Sequence, residues 1–161
     1  LPIENETAMG NAWFVTDVKQ VANANEELAA LGTENLRTTA VVAQADFGFL
    51  KAGGTGTVRM TSYGANEARY EVDSQLGGLV VFSEVYYPGW TATVDGQEVE
   101  VGRANYVLRA INVPAGKHEV VFTFAPKSIQ TTETIAYVAL AVLALLIVLA
   151  IVFSSIKRKR A

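Results

Sequence analysis

The sequence predicts a mainly β protein, an antiparallel β-sandwich (jelly-roll-like) with one short helix, followed by a C-terminal transmembrane helix. Three observations predict it. Between residues 55 and 124, short segments of alternating apolar and polar residues recur with turn residues about every ten positions, the pattern of an all-β domain. Only one segment ahead of residue 127 carries both helix start and stop signals. From Ile135 to Ile156 no residue is charged, and Lys157-Arg158-Lys159-Arg160 follows directly, as expected of a bilayer span with a polar anchor.

Taken in order, residues 1–11 are polar and read as a connection. Residues 12–18 (AWFVTDV) are apolar and aromatic and read as a strand. Residues 25–32 read as a helix, with Asn23 or Asn25 as its cap, Glu26 and Glu27 in its first turn, and Gly32 past its end. Residues 37–43 (RTTAVVA) are a strand. In residues 55–63, Val58 and Met60 share one face and Thr57, Arg59 and Thr61 the other. Residues 67–73 alternate most clearly, Ala68, Tyr70 and Val72 against Glu67, Arg69, Glu71 and Asp73, and predict a strand with one wet face. Residues 79–87 are apolar on both faces in their first half, which places them in the centre of a sheet. Asp95-Gly96 between residues 91–94 and 98–101 marks a hairpin. Residues 107–113 and 118–124, joined by Pro114-Ala115-Gly116-Lys117, read as a second hairpin. Pro126 closes the last strand, giving a β-domain over 1–126, a polar linker over 127–134, the span over 135–156 and a basic tail over 157–161.

At about 1.5 Å per residue the span is about 33 Å long, matching a hydrocarbon layer of about 30 Å. Tyr137 and Phe153 stand near its ends, where interfacial aromatics collect, and Lys157, Arg158, Lys159 and Arg160 complete the anchor. Cations beside a span are retained in the cytoplasm, so the tail is expected inside and the β-domain outside. The chain opens Leu1-Pro2-Ile3-Glu4, without a basic and apolar leader. It is therefore expected to be the end of a longer protein whose earlier spans carry the domain across.

The net charge of −3 conceals an asymmetry, because residues 1–134 hold nine Lys/Arg against sixteen Asp/Glu. So acidic a domain is a poor partner for nucleic acid. With no cysteine, disulfides, thiolate metal sites and Cys nucleophiles are excluded. His118 is the only histidine and starts a strand, so a turn or surface role is expected rather than a metal ligand. Gly53-Gly54-Thr55-Gly56 lacks the Lys-Ser/Thr of a phosphate loop and reads as a flexible turn. Asn5-Glu6-Thr7 fits an N-glycosylation pattern that occurs often by chance. Glu98 and Glu100 share a strand face, but a solvated sheet edge explains them better than paired glycosidase acids. No catalytic constellation and no cofactor are predicted.

The densest cluster of unusual residues is Glu84, Tyr86, Tyr87 and Trp90, followed by Arg103, Asn105, Tyr106 and Arg109. Aromatic rings beside carboxylate, amide and guanidinium groups suit a glycan-contact surface, where rings stack on pyranose faces and polar groups read hydroxyls. The same residues also suit a sandwich core, with Trp90 packed under a turn and Arg109 paired to Glu84; strand aromatics are most often core.

Across nearly its whole length the chain resembles the C-terminal end of the YfhO family of bacterial multi-spanning membrane proteins, in particular its Bacteroidetes-type members. The resemblance rests on Gly10-Asn11-Ala12-Trp13-Phe14-Val15, on residues 81–90 (VFSEVYYPGW), on Val94-Asp95-Gly96, on residues 103–110 (RANYVLRA) and on Val113-Pro114-Ala115-Gly116-Lys117-His118. It implies a longer protein with many upstream spans, similar to membrane glycosyltransferases that use polyprenyl-phosphate sugars to glycosylate cell-envelope polymers. In such enzymes the catalytic acid lies in an early extracytoplasmic loop that this chain does not contain. By resemblance, then, the segment is a non-catalytic extracytoplasmic domain plus the last span, in the bacterial cytoplasmic membrane. Its expected partners are the bilayer, the upstream transmembrane helices and the envelope polysaccharide, for which it positions an acceptor; as the alternative it is a purely structural domain that binds no sugar.

Overall fold

The computed structural model describes residues 7–160, with the side chains of 127–130 and 152–160 outside that description, and divides after Phe124 into two units. In chain order the first contains β1 (Ala12–Val15), β2 (Asp17–Val21), α1 (Ala24–Leu31), β3 (Thr39–Ala43), α2 (Gln44–Phe47), β4 (Thr57–Tyr63) and β5 (Glu67–Ser74). It continues with β6 (Gly78–Val85), β7 (Trp90–Val94), β8 (Gln97–Val99), β9 (Gly102–Ala104), β10 (Leu108–Val113) and β11 (Gly116–Phe124). Two antiparallel sheets, β1-β6-β10-β9 and β4-β5-β11-β7-β8, face each other. Their shared core holds Ala68, Tyr70 and Val72 of β5, Val80 and Phe82 of β6, Ile111 and Val113 of β10, and Val120 and Phe122 of β11. Tyr70, Phe82 and Phe122 meet edge to face, with centroids 4.8 to 6.1 Å apart, a geometry that the ring quadrupoles favour.

The period-2 pattern of residues 67–73 is realised in β5, whose Ala68, Tyr70 and Val72 are buried while Glu71 and Asp73 face water. In β6, Leu79, Val80, Val81 and Phe82 are all fully buried, because its sheet is covered on both faces. Val80 and Phe82 enter the sandwich, whereas Leu79 and Val81 pack outward on a second core with Val15, Ala40, Val42 and Leu50. The cover on that side is a third layer, β2-α1-β3 with α2. Asn23 caps α1 by accepting from the Glu26 N–H at 3.0 Å, and the Glu26 carboxylate reaches back to the Ala22 N–H at 3.0 Å, a variant of the capping box.

Four expectations for the first unit need revision. Residues 12–18 are not one strand: the Thr16 and Asp17 N–H groups both donate to the Thr38 carbonyl, and the chain leaves the β6 ladder to pair with β3. That β2–β3 pair is parallel, so the domain is not wholly antiparallel. Residues 107–113 and 118–124 are not a hairpin, since β10 pairs with β6 and β9 while β11 pairs with β5 and β7 in the facing sheet. Pro114-Ala115 carries the chain between sheets beside the parallel crossing at Gln75-Leu76-Gly77. There the backbones touch so closely that a Cβ on Gly77 would lie 2.6 Å from the Val113 carbonyl oxygen. Finally, Gly53-Gly54 is no flexible turn: the Gly54 N–H donates to the Gly77 carbonyl at 2.8 Å, and a Cβ on Gly53 would lie 2.3 Å from the Gly78 Cα.

The second unit is α3 (Lys127–Arg160), so residues 127–134, expected as a linker, are its first turns. Within it Thr131–Ile151 is long and apolar enough to cross a membrane, and none of that stretch is buried. Ile135, Leu140, Leu145, Val148 and Ile151, spread around the helix, are each more than half exposed, which is tolerable in lipid and not in water. Tyr137 is exposed; the side chains of Phe153, Lys157, Arg158, Lys159 and Arg160 fall outside the described residues.

Candidate functional site

The register of the strands brings the eight candidate residues to one end of the sandwich, in two separate networks. In the first, Arg109 continues the inward alternation of Ile111 and Val113 along β10 and so enters the sandwich. Arg109 is 1% exposed; its guanidinium donates to Glu84 Oε2 at 3.1 Å and lies 4.2 Å from the Trp90 centroid and 4.7 Å from that of Phe122. The charge is therefore held by one carboxylate and two ring faces, a cation–π arrangement strengthened by desolvation. Burial lowers the Arg109 pKa from its ordinary value while Glu84 opposes that shift, and an arginine so placed stays charged. Burial, with Glu84 adding to it, pushes the neighbouring Tyr70 hydroxyl up to about 12.

The second network joins the β9–β10 turn to the third layer. Asn105 and Tyr106 both have positive φ, 50° and 71°; asparagine tolerates that region, whereas tyrosine is strained there by about 1–2 kcal/mol. What holds the turn is Glu27 of α1, fully buried, which accepts from the Tyr106 N–H at 2.7 Å and from Arg103 Nη2 at 3.0 Å. Arg103 also donates to the Tyr106 carbonyl and lies between the Phe47 and Tyr106 rings, 5.5 and 5.4 Å from their centroids. Asn105 mimics a strand partner for β3: its N–H donates to the Val41 carbonyl at 2.8 Å and its Oδ1 accepts from the Val41 N–H at 2.9 Å. The Tyr86 ring packs on Phe47, edge to face at 5.4 Å.

Seven of the eight candidates thus have partners in these two networks, Trp90 through the Arg109 guanidinium on its ring, and Tyr86, Tyr87 and Trp90 line an open cleft. The Tyr87 and Trp90 rings flank Phe124, at 6.4 and 5.3 Å. The cleft, about 280 Å³, lies between the Tyr86–Thr91 segment and residues 98–101, so Glu98 and Glu100 line its other side. A larger hollow of about 450 Å³ on the wet face of β4, β5 and β11 is lined by ion pairs, Arg59–Glu71 at 2.6 Å and Lys117–Asp73 at 3.5 Å. Those four side chains are more than half exposed, the setting in which ion pairs contribute little. Among the described residues no group of three or more His, Asp or Glu could hold a metal.

Glu27 and Phe47 were missed by the sequence reading. The one signal for Glu27 was its position on the helix face of Ala30 and Leu31, where a carboxylate needs a buried partner.

His118 forms a clip at the opposite end. Its Nδ1 lies 2.6 Å from Asp95 Oδ2 and its Nε2 3.0 Å from the Ala115 carbonyl, so both nitrogens face acceptors and the imidazolium satisfies both. Asp95 first, and then the Ala115 carbonyl, raises its pKa above the ordinary 6.5, and Asp95 is correspondingly lowered. A raised folded-state value means the contribution is complete below 6.5 and is lost as pH rises through the higher folded value. In urea unfolding of the full chain in detergent, the midpoint is expected to fall as pH rises from 6.5 through that window, and to lose this slope in His118→Gln. A wild-type midpoint that is flat there refutes the clip.

The family model for the bacterial membrane protein YfhO matches residues 50–136, just over half of the chain. No curated protein and no solved structure matches it.

Proposed function

The chain belongs to the YfhO family of bacterial membrane proteins, and from that premise we propose that it is a non-catalytic extracytoplasmic module and last span of a glycosyltransferase acting from lipid-linked sugars on cell-envelope polymers. Lys157, Arg158, Lys159 and Arg160 support a cytoplasmic tail, which puts the β-domain on the outer face. The observation that carries an acceptor contact is the cleft in which Tyr87, 61% exposed, and Trp90 stand opposite Glu98 and Glu100. Rings of this kind stack on sugar faces while carboxylates accept from hydroxyls. The proposed contact surface is narrower than the eight candidates: Glu84, Arg103, Asn105, Tyr106 and Arg109 are taken up by internal partners, while Tyr86, Tyr87 and Trp90 line the cleft.

Tyr87→Ala in the full-length protein is expected to weaken retention of cell-wall oligosaccharides about five- to tenfold, at the upper part of the range for one aromatic contact, with the near-ultraviolet circular dichroism unchanged. Unchanged retention removes the acceptor contact. A purely structural module is the second reading, favoured by the burial of Arg109 and Glu27; it predicts no sugar-dependent change at Tyr87.

A further inference from the structure

Asp95-Gly96 is the only aspartyl-glycyl step in the chain, and no asparagine precedes a glycine. Glycine has no side chain to screen its amide nitrogen from the carboxyl carbon of the residue before it, and attack at that carbon is the ordinary route by which aspartate rearranges. The turn is open to water: the Asp95 side chain is 52% exposed, and a Cβ on Gly96 would meet nothing within 4 Å. Sequence and exposure both mark the step as labile. The contacts around it oppose the reaction. Asp95 Oδ2 lies 2.6 Å from His118 Nδ1, Oδ1 accepts from the Glu119 N–H at 2.8 Å, and the Asp95 N–H donates to the Glu119 carbonyl at 2.9 Å. Backbone and both carboxyl oxygens are thus fixed to β11, so the side chain turns toward Gly96 only by giving up two charge-assisted hydrogen bonds. The same two contacts, His118 first and the Glu119 N–H second, lower the Asp95 pKa. The group stays ionised, and a carboxylate is a poor electrophile.

We propose that Asp95-Gly96 is a modification site, at which isoaspartate forms, and that the His118 and Glu119 contacts suppress the reaction in the folded chain. In that reaction the Gly96 nitrogen bonds to Asp95 Cγ and the bond from Cγ to its hydroxyl oxygen breaks; the hydroxyl and the Gly96 N–H proton leave as one water. The five-membered imide then takes up water at either carbonyl. Opening at Cγ restores aspartate, whereas opening at the main-chain carbonyl leaves the backbone running through Cβ and Cγ with the carboxylate on Cα. The backbone is then one carbon longer, in a turn that has only Asp95 and Gly96 between the Val94–Gln97 pair. The added carbon takes β8 out of register with β7. Residues 98–101, one wall of the cleft beside Tyr87, follow directly from this turn, so the clip preserves that wall. The inference does not depend on sugar binding and holds equally for a purely structural module.

The full chain is aged in detergent in mildly acidic buffer, folded and in urea, and isoaspartate is located in its peptides by electron-transfer fragmentation. Asp73-Ser74, at the end of β5, is the internal reference. In urea the rearrangement is expected to be faster at 95 than at 73; in the folded wild type it is expected to be no faster at 95 than at 73. His118→Val removes one of the two donors. In the folded variant the rate at 95 is expected to rise about tenfold, the factor that one hydrogen bond to a charged group represents, with the rate at 73 unchanged. Three results overturn the inference. A folded wild type that rearranges at 95 as fast as in urea shows no suppression, and this comparison needs no variant to fold. An unchanged rate at 95 in His118→Val shows that the contacts do not control the reaction. A rise shared equally by 73 assigns the effect to loosening of the whole domain.

Discussion

Glu27→Ala is expected to destabilise the β-domain by about 3–5 kcal/mol, the cost of removing one partner of a buried ion pair. The substitution strands three groups at once: the Tyr106 N–H, the Arg103 guanidinium, and the strained turn that the carboxylate holds at positive φ. The urea midpoint of the full chain in detergent measures the loss. Hydrogen exchange should localise it, with β3 losing protection as Asn105 releases Val41. Removing Glu34 from its pair with Lys19, whose side chains are 28% and 44% exposed, should cost under about 1 kcal/mol. A Glu27→Ala loss no larger than that control refutes the role of Glu27 as the lock between α1 and the sandwich.

Glu84→Ala should be the other severe change, costing about 3 kcal/mol, because it leaves the Arg109 charge in the sandwich with only ring faces for company. The converse test is more telling. Glu84→Gln combined with Arg109→Met replaces the pair by a neutral polar group and an apolar side chain of similar length. It should be less destabilising than Glu84→Ala alone, because no charge remains to be solvated. The same pair of urea titrations decides the matter, and a double variant weaker than the single one would show that the guanidinium holds Trp90 by packing rather than being a burden offset by Glu84.

Where one physical force fixes a residue's place, the sequence reveals it. Alternation identified β5, apolar residues on both faces identified β6 as central, and Asp95-Gly96 identified the β7–β8 turn, whose residues have φ of 50° and 80°, as a type I′ hairpin requires. The pairing of Arg109 with Glu84 was likewise legible, because a strand position on the core face leaves a cation only a nearby carboxylate. What escaped was sheet membership. Pro114-Ala115-Gly116-Lys117 has the composition of a tight turn whether the flanking strands pair or cross between sheets. The difference lies in what covers each strand: Ala110 and Ile111 are buried on opposite faces of β10, while β11 alternates. The internal partners of Arg103, Asn105 and Tyr106 were hidden for a related reason. Their partners, Glu27, Phe47 and Val41, lie about 60 to 80 positions away in sequence, beyond the reach of local patterning.

β11 lies between β5 and β7 in its sheet, yet it is the last strand in the chain. During synthesis β5 and β7 therefore wait with unpaired edges, a state prone to wrong partners, until residue 124 is available. Such long-range closure is intrinsically slow, because loop entropy must be overcome before the contacts reward it. The next segment made is the apolar helix itself. At about 5–20 residues per second, the last strand of the sandwich and a helix long and apolar enough to cross a membrane are made within seconds of one another, so the domain closes while its most apolar segment is leaving the ribosome.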